Sequence, residues 1–275
     1  MKKLRVAILS HGGVDRLLKQ LSELECVELV GIFVETETQP RRSLNQKFRR
    51  SILYDGYVET VKKILSRLVR KEVKAVNELQ VVRDNQRALE QLSARLKVPF
   101  HMVTNYHSGE ATKLLKDTEA DLGILYGTNI VKESVFSIPK LGTINLHQGL
   151  APYYRGGPPI FWELFNGENE VGITVHFVAA KVDAGDIILQ DTVPLRYDFS
   201  KYGLDYESFL RDWSSLLLEP SARLVVEAVK LISEGKVQPV KQDLSIGRRY
   251  RLPTKKEKDL LLDTLARRST HERKA

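Results

Sequence analysis

The first thirty-four residues constrain this chain most. "LRVAIL" (4–9) is a short apolar run, "SHGG" a small-residue turn, and a helical pattern follows to about Leu24 before a second apolar run, "VELVGIFV" (27–34). Two such strands with a helix between them pair most simply in parallel, because the helix supplies the long crossover that parallel neighbours need. The theme returns in "VPFHMV" (98–103), a helical "ATKLLKDT", "DLGILYG" (121–127) and "GTINLH" (142–147). The expected fold is therefore α/β, with a mostly parallel central sheet flanked by helices. With 42% hydrophobic residues among 275, material for a sizeable core is at hand.

Beyond residue 150 the pattern changes. "PPIFWELFNG" reads as a helix with proline at its start and glycine at its end. "VGITVHFV" (171–178) alternates like a half-buried strand, and "DIILQDTVPL" (186–195) is its expected neighbour. One helix is expected from about Ser208 to Glu234. The remainder, "SIGRRYRLPTKKEKDLLLDTLARRSTHERKA", is basic and increasingly polar, and is expected to end in a short helix and then fray. Residues 36–97 hold two charged segments of helical character, with Val61, Ile64, Leu65 and Leu68 on one face.

Charge is unevenly placed. From Pro40 to Lys74 there are eleven Lys and Arg against three Asp and Glu, an excess of eight that equals the net +8 of the whole chain. Such a stretch attracts the phosphates of a nucleotide or nucleic acid; as a solvated helix face it would need no partner. The single cysteine, Cys26, excludes an internal disulfide and a thiolate metal cage. With no run of about 18 apolar residues and no signal-peptide pattern, a cytoplasmic protein without membrane contact is expected.

The stretch "INLHQGLAPYYRGGPPIFW" (144–162) carries the chemistry. On a strand, residues two apart face the same way about 6.6 Å apart, so Thr143, Asn145 and His147 share one side while Ile144 and Leu146 can pack. An amide and an imidazole side by side suit an oxygen that gains negative charge, and fixed donors of this kind are worth roughly 10²–10³ in rate each. The imidazole also exchanges protons near neutral pH. Asp183, in the loop of "KVDAGDIILQ", is the candidate to orient it, with Asp186 the more structural competitor. Taken alone, His147 and His176 read more readily as satisfied structural histidines. His147, His176, Asp183 and Asp186 lack the usual short metal-ligand spacing, and no serine sits in a nucleophile elbow. "SHGG" lies where phosphate loops sit in such folds but is not G-x-G-x-x-G, and reads equally as a plain tight turn.

These residues resemble the 10-formyltetrahydrofolate-dependent formyltransferases. The family's ordered pattern is matched by Asn145 and His147, Arg155-Gly156, Asn166-Gly167-Glu168, His176-Phe177 and Asp183-Ala184-Gly185-Asp186, all within about fifty residues. The match extends more loosely from Lys3 to about Asp243. The resemblance implies a Rossmann-like catalytic domain over 1–243, followed by a basic extension (244–275) that forms no complete second domain. It implies that Asn145, His147 and Asp183 are the catalytic trio and that 10-formyltetrahydrofolate is the co-substrate. An uncharged amine would attack the formyl carbon, Asn145 and protonated His147 would stabilise the tetrahedral oxyanion, and no metal would take part. The pterin would lie against Tyr126, Gly127, Ile130 and Val131. One departure concerns the segment after the histidine: the family's "H-x-S-L-L-P" is here "HQGLAP", with Gly149, Leu150 and Ala151.

The acceptor is less constrained. The resemblance of "RGGPPIFW" to the tRNA and sugar-nucleotide branches, and the thirty-odd residues after Asp243 where the tRNA enzymes carry a barrel domain, put a small phosphorylated amine first. A tRNA comes second, encouraged by the basic stretch 41–74, and glycinamide ribonucleotide third. A hydrolase releasing formate and a non-catalytic folate- or nucleic-acid-binding protein stand as readings of a different class.

Overall fold

The computed structural model describes residues 2–36, 44–62, 86–195 and 206–272. The opening β–α–β unit forms as its sequence dictates: β1 (Leu4–Ser10), α1 (Asp15–Ser22) and β2 (Val27–Glu35), with β1 and β2 parallel. Helices follow at Leu44–Asp55 (α2), 57–62 (α3) and 86–96 (α4). Next come β3 (Phe100–Val103), α5 (Gly109–Asp117), β4 (Leu122–Tyr126), α6 (Glu133–Phe136) and β5 (Thr143–His147). Then follow β6 (Tyr154–Gly156), α7 (Phe161–Asn166), β7 (Glu170–Phe177) and β8 (Ile187–Pro194). The described chain closes with α8 (Tyr206–Leu216), α9 (Leu218–Ser233), β9 (Arg248–Tyr250) and α10 (Lys255–Glu272).

The main sheet has seven strands in the order β3-β2-β1-β4-β5-β7-β8. The first five are parallel, while β5–β7 and β7–β8 are antiparallel. Strand order reverses between β1 and β4, the place where open α/β sheets leave a crevice beyond their C-terminal strand ends. Alternation in β1 divides the core into two layers. Val6 and Ile8 pack with α1, α4, α7, α9 and α10, whereas Ala7 and Leu9 face α5 and α6.

Three expectations need correction. The helix expected over 208–234 is two helices interrupted at Leu217. Pro220 has no N–H to give the carbonyl four residues earlier, so the ladder cannot run unbroken through this point. The prolines of "PPIFWELFNG" lie before α7 rather than in its first turn, and Ile160 precedes the helix at φ 74; Gly167 ends it in the left-handed region at φ 83, as expected. The basic tail is far more ordered than a short fraying helix. Its β9 pairs in parallel with β6, matching Tyr154 to Arg248 and Gly156 to Tyr250. α10 is 18 residues long and buries Leu261 and Leu265 in the main core. The helix start is a capping box: the Thr254 N–H and hydroxyl donate to Glu257 Oε2 at 2.7 and 2.9 Å, and the Glu257 N–H returns to Thr254 Oγ1 at 3.3 Å.

Ile124 is fully buried at the centre of β4. Replacing it with alanine should lower unfolding stability by about 2–5 kcal/mol in urea titrations, because the rigid sheet cannot collapse around the void.

Candidate active site

Strand β5 carries Asn145 and His147 to the C-terminal edge of the sheet, and antiparallel β7 sets His176 opposite Asn145. Between β7 and β8 the chain turns through Asp183, whose φ of 49 is uncommon for a residue with a side chain. Gln242 fixes this turn from the far end of the chain, donating to the carbonyls of Gly185 (2.6 Å) and Asp183 (3.2 Å).

The Asp183 carboxylate is where the elements meet. Oδ2 accepts the Gly156 N–H at 2.9 Å and lies 3.6 Å from His147 Nδ1. Oδ1 accepts from Asn145 Nδ2 at 3.4 Å and lies 3.7 Å from His176 Nε2. The three residues expected to act together are thus brought together, with His176 as a fourth member that sequence reasoning left as a structural histidine.

Hydrogen-bond accounting fixes the proton positions. His147 Nε2 lies 2.6 Å from the Tyr154 carbonyl, which can only accept, so Nε2 carries the hydrogen. In neutral His147 the unprotonated Nδ1 therefore faces Asp183, and a proton added there would point at the carboxylate. His176 Nδ1 likewise donates to the Phe177 carbonyl at 2.7 Å, leaving Nε2 to accept from Asn145 Nδ2 at 3.2 Å. That requirement settles which end of the Asn145 amide faces the ring.

Burial pushes the pKa of His147 below the ordinary imidazole value, and the Asp183 charge opposes without overcoming it. The direction of the shift favours a neutral His147 in the ligand-free site at neutral pH. For Asp183, burial alone would raise the pKa. The His176 and His147 rings, which lower it when they carry a proton toward the carboxylate, and the Gly156 N–H outweigh burial and bring the value to about 2.

A cleft of about 250 Å³ opens here, with Asn145, His147, His176 and Asp183 in its wall. Of the four residues expected to receive a pterin, Gly127, Ile130 and Val131 line this cleft, Gly127 at φ 65 and Ile130 68% exposed. Tyr126 does not: strand alternation turns it to the opposite core layer while Leu125 faces the cleft. Val178, Ala179 and Val182 supply apolar wall that the sequence reading did not name.

The departure at "HQGLAP" has a geometric reason. A Cβ on Gly149 would lie 2.5 Å from His147 Nε2 and 2.6 Å from the Tyr154 oxygen, in the path of the bond that orients the ring. At the first βα turn, Ser10 Oγ hydrogen-bonds Gly12 and His11 Nε2 lies 2.9 Å from Glu35 Oε2. Of the basic stretch 41–74, residues 44–62 are described, and Arg50 lies over the Tyr54 ring at 5.1 Å. Arg41, Arg42 and 63–74 lie outside the described residues, as do Ile64, Leu65 and Leu68. Among the described residues no group of three or more His, Cys, Asp or Glu is placed to hold a metal ion, and no helix is long and apolar enough to cross a membrane.

The family model for formyl transferase matches residues 51–205. A methionyl-tRNA formyltransferase of Bacteroides fragilis is 37% identical over 134 residues, covering 49% of this chain and 39% of that protein. One from Pelotomaculum thermopropionicum is 32% identical over 175 residues, covering 63% and 52%. The chain thus spans about half or less of the length of these curated relatives. Among solved structures, the phosphoribosylglycinamide formyltransferase of Anaplasma phagocytophilum superposes with a TM-score of 0.56 at 19% identity, over 90% of this chain and 99% of that one. That likeness shows the Rossmann-like fold.

Two outcomes follow from the geometry. Gly149→Ala should lower the melting temperature, because the Cβ meets the Tyr154 backbone oxygen, and should also lower activity at saturating substrate, since an ångström of misplacement costs about a hundredfold. The depressed pKa of Asp183 contributes stability that is present above about pH 4 and lost as pH falls toward 2. Asp183→Asn should therefore flatten the decline of unfolding free energy between pH 4 and 2, measured by urea titration at each pH.

Proposed function

We propose, for a chain that belongs to the formyl transferase family, that it is an enzyme moving the formyl group of 10-formyltetrahydrofolate onto a primary amine. The convergence of Asn145, His147 and Asp183 on one cleft carries the reading. The loop 127–131 with Val178 and Ala179 offers the backbone groups and apolar wall that suit a pterin.

The residues divide the work. The Asn145 amide spends its two hydrogens on His176 Nε2 and, at the longer 3.4 Å, on Asp183 Oδ1. The second bond is the one to exchange for the formyl oxygen as negative charge builds there. His147, neutral before reaction, takes the proton of the attacking amine on Nδ1, and the new N–H meets Asp183 Oδ2. The amine nitrogen bonds to the formyl carbon, the carbon–N10 bond breaks, and His147 returns the proton to the departing nitrogen. Neutral His147 in the resting state and imidazolium in the charged state make the histidine a carrier rather than a fixed cation.

The curated relatives are named as methionyl-tRNA formyltransferases, which favours an aminoacyl-tRNA acceptor over the small phosphorylated amine that the sequence put first. Both acceptors carry phosphate, and Arg155 supports either. It is 8% exposed and its Nε bonds the Pro152 carbonyl at 3.3 Å; it is not in the wall of the catalytic cleft, so its charge would act on an anionic acceptor at a distance rather than by contact. Arg249, its partner in the β6–β9 register, adds a second positive charge to that segment.

Incubation with 10-formyltetrahydrofolate should release tetrahydrofolate only when an amine acceptor is present, and faster with charged initiator tRNA than with amino-sugar nucleotides. Release without any acceptor would instead identify a hydrolase. His147→Ala and Asn145→Ala should each lower kcat about a hundredfold or more; near-normal turnover in either would remove the assigned roles.

A further inference from the structure

A second cavity, of about 300 Å³, lies against β6 and shares no lining residue with the catalytic cleft. Its wall includes Tyr154, Glu163, Glu168, Glu170, Arg248 and Tyr250. Glu163 stands out among them. It sits in the first turn of α7, is 3% exposed, and its Oε1 is buried with no hydrogen-bond partner among the described residues. Burial raises its pKa to about 7, although backbone N–H groups at the helix start pull the other way. A carboxyl held this way is expensive unless a donor reaches it.

The rest of the wall says what kind of donor. The rings of Tyr154 and Tyr250 stack at 5.3 Å, and their hydroxyls are tied by Asn166, with Tyr154 also donating to Glu168 at 2.7 Å. Three carboxylates face one guanidinium, Arg248, which already lies over the Tyr250 ring at 5.4 Å. Tyr250 is already covered by Tyr154 at 5.3 Å, Trp162 at 4.9 Å and Arg248 at 5.4 Å, so it is the excess negative charge rather than a free ring face that suits an organic cation. A metal ion fits poorly, because among the described residues no carboxylates are grouped to ligate one. A single orphan oxygen matches a point donor better than the two-pronged fork of a guanidinium. Leu150 and Ile246, in the same wall, offer contact to an alkyl stem.

We propose that this cavity binds a primary alkylammonium, with Glu163 as its counter-ion, and that Tyr154 links its occupancy to the catalytic cleft. Tyr154 is shared by construction: its ring lines the second cavity while its carbonyl accepts from His147 Nε2 at 2.6 Å. A ligand that shifts the ring therefore bears on the bond that sets the histidine. Occupancy of this cavity is independent of formyl transfer and is read by binding alone.

Isothermal titration of the full chain with n-butylammonium chloride should show saturable binding at about the millimolar level or tighter. Tetramethylammonium, equally charged but without N–H groups, should bind at least about tenfold more weakly. Glu163→Gln, near in shape and checked for folding by its thermal melt, should weaken butylammonium at least tenfold, and Tyr250→Leu should weaken it as well. Binding should be tighter at pH 8 than at pH 6, where Glu163 is mostly protonated; the groups that face it are Glu168 and Glu170 from the α7–β7 segment, Arg248 and Tyr250 from β9 and Tyr154 from β6. Titration should also move the His147 ring ¹H–¹⁵N resonances in the wild type and not in Glu163→Gln. No saturable heat with folded wild type, or equal binding by Glu163→Gln, would overturn the site; saturable binding with unmoved His147 resonances would overturn the link.

Discussion

A buried carboxylate that must stay charged governs this structure. Asp183 gathers donors from separate parts of the chain: the Asn145 amide on β5, the Gly156 N–H on β6, and the His147 ring when it is protonated. Removing such a charge from water costs several kcal/mol, and only a nearly complete set of partners offsets it. That requirement explains why the loop accepts an uncommon backbone angle at Asp183 and why Gln242 reaches across to hold two of its carbonyls. It also explains why the histidine beside it rests neutral. Burial acts on both groups, and the better-partnered one keeps its charge.

The sheet places this cluster rather than building it. Five parallel strands turn their C-terminal ends toward one edge, and the order reversal beside β1 opens room there. The two antiparallel strands beyond β5 add what a purely parallel sheet would lack: a neighbour that sets His176 in register with Asn145, and a tight loop that returns Asp183 to the edge. Strand β6 then stands between two cavities, its carbonyl and N–H serving one and its tyrosine ring the other.

What could be read from the residues depended on range. Strands with full apolar runs, such as those at 4–9, 27–34 and 121–127, announce themselves because burial on both faces leaves a local signature. The N-x-H spacing placed Asn145 and His147 on one face for the same local reason, whereas Asp183 was only a loop candidate against Asp186 until the family resemblance joined it to them. Tyr126, named from the resemblance, lies off the cleft wall because side chains alternate along β4 and Leu125 is the one that lines it. β6 and β9 were missed because three residues are too few to show a period, and their pairing joins distant parts of the chain. The order of α10 was partly legible in Thr254-Lys255-Lys256-Glu257, a capping box passed over amid the charge. His176 gave no local sign of belonging to the network, since a mid-strand histidine looks the same whether it packs or bonds.

The parallel pairing of β6 with β9 has a consequence during synthesis. A nascent chain leaves the ribosome in order, so all seven strands of the main sheet are made before Arg248–Tyr250. Until those residues emerge, Tyr154–Gly156 lack their neighbouring strand, and the backbone groups that hold His147 and Asp183 sit on an unfastened segment. Competence is therefore acquired late, by a strand that contributes nothing to the seven-stranded sheet itself.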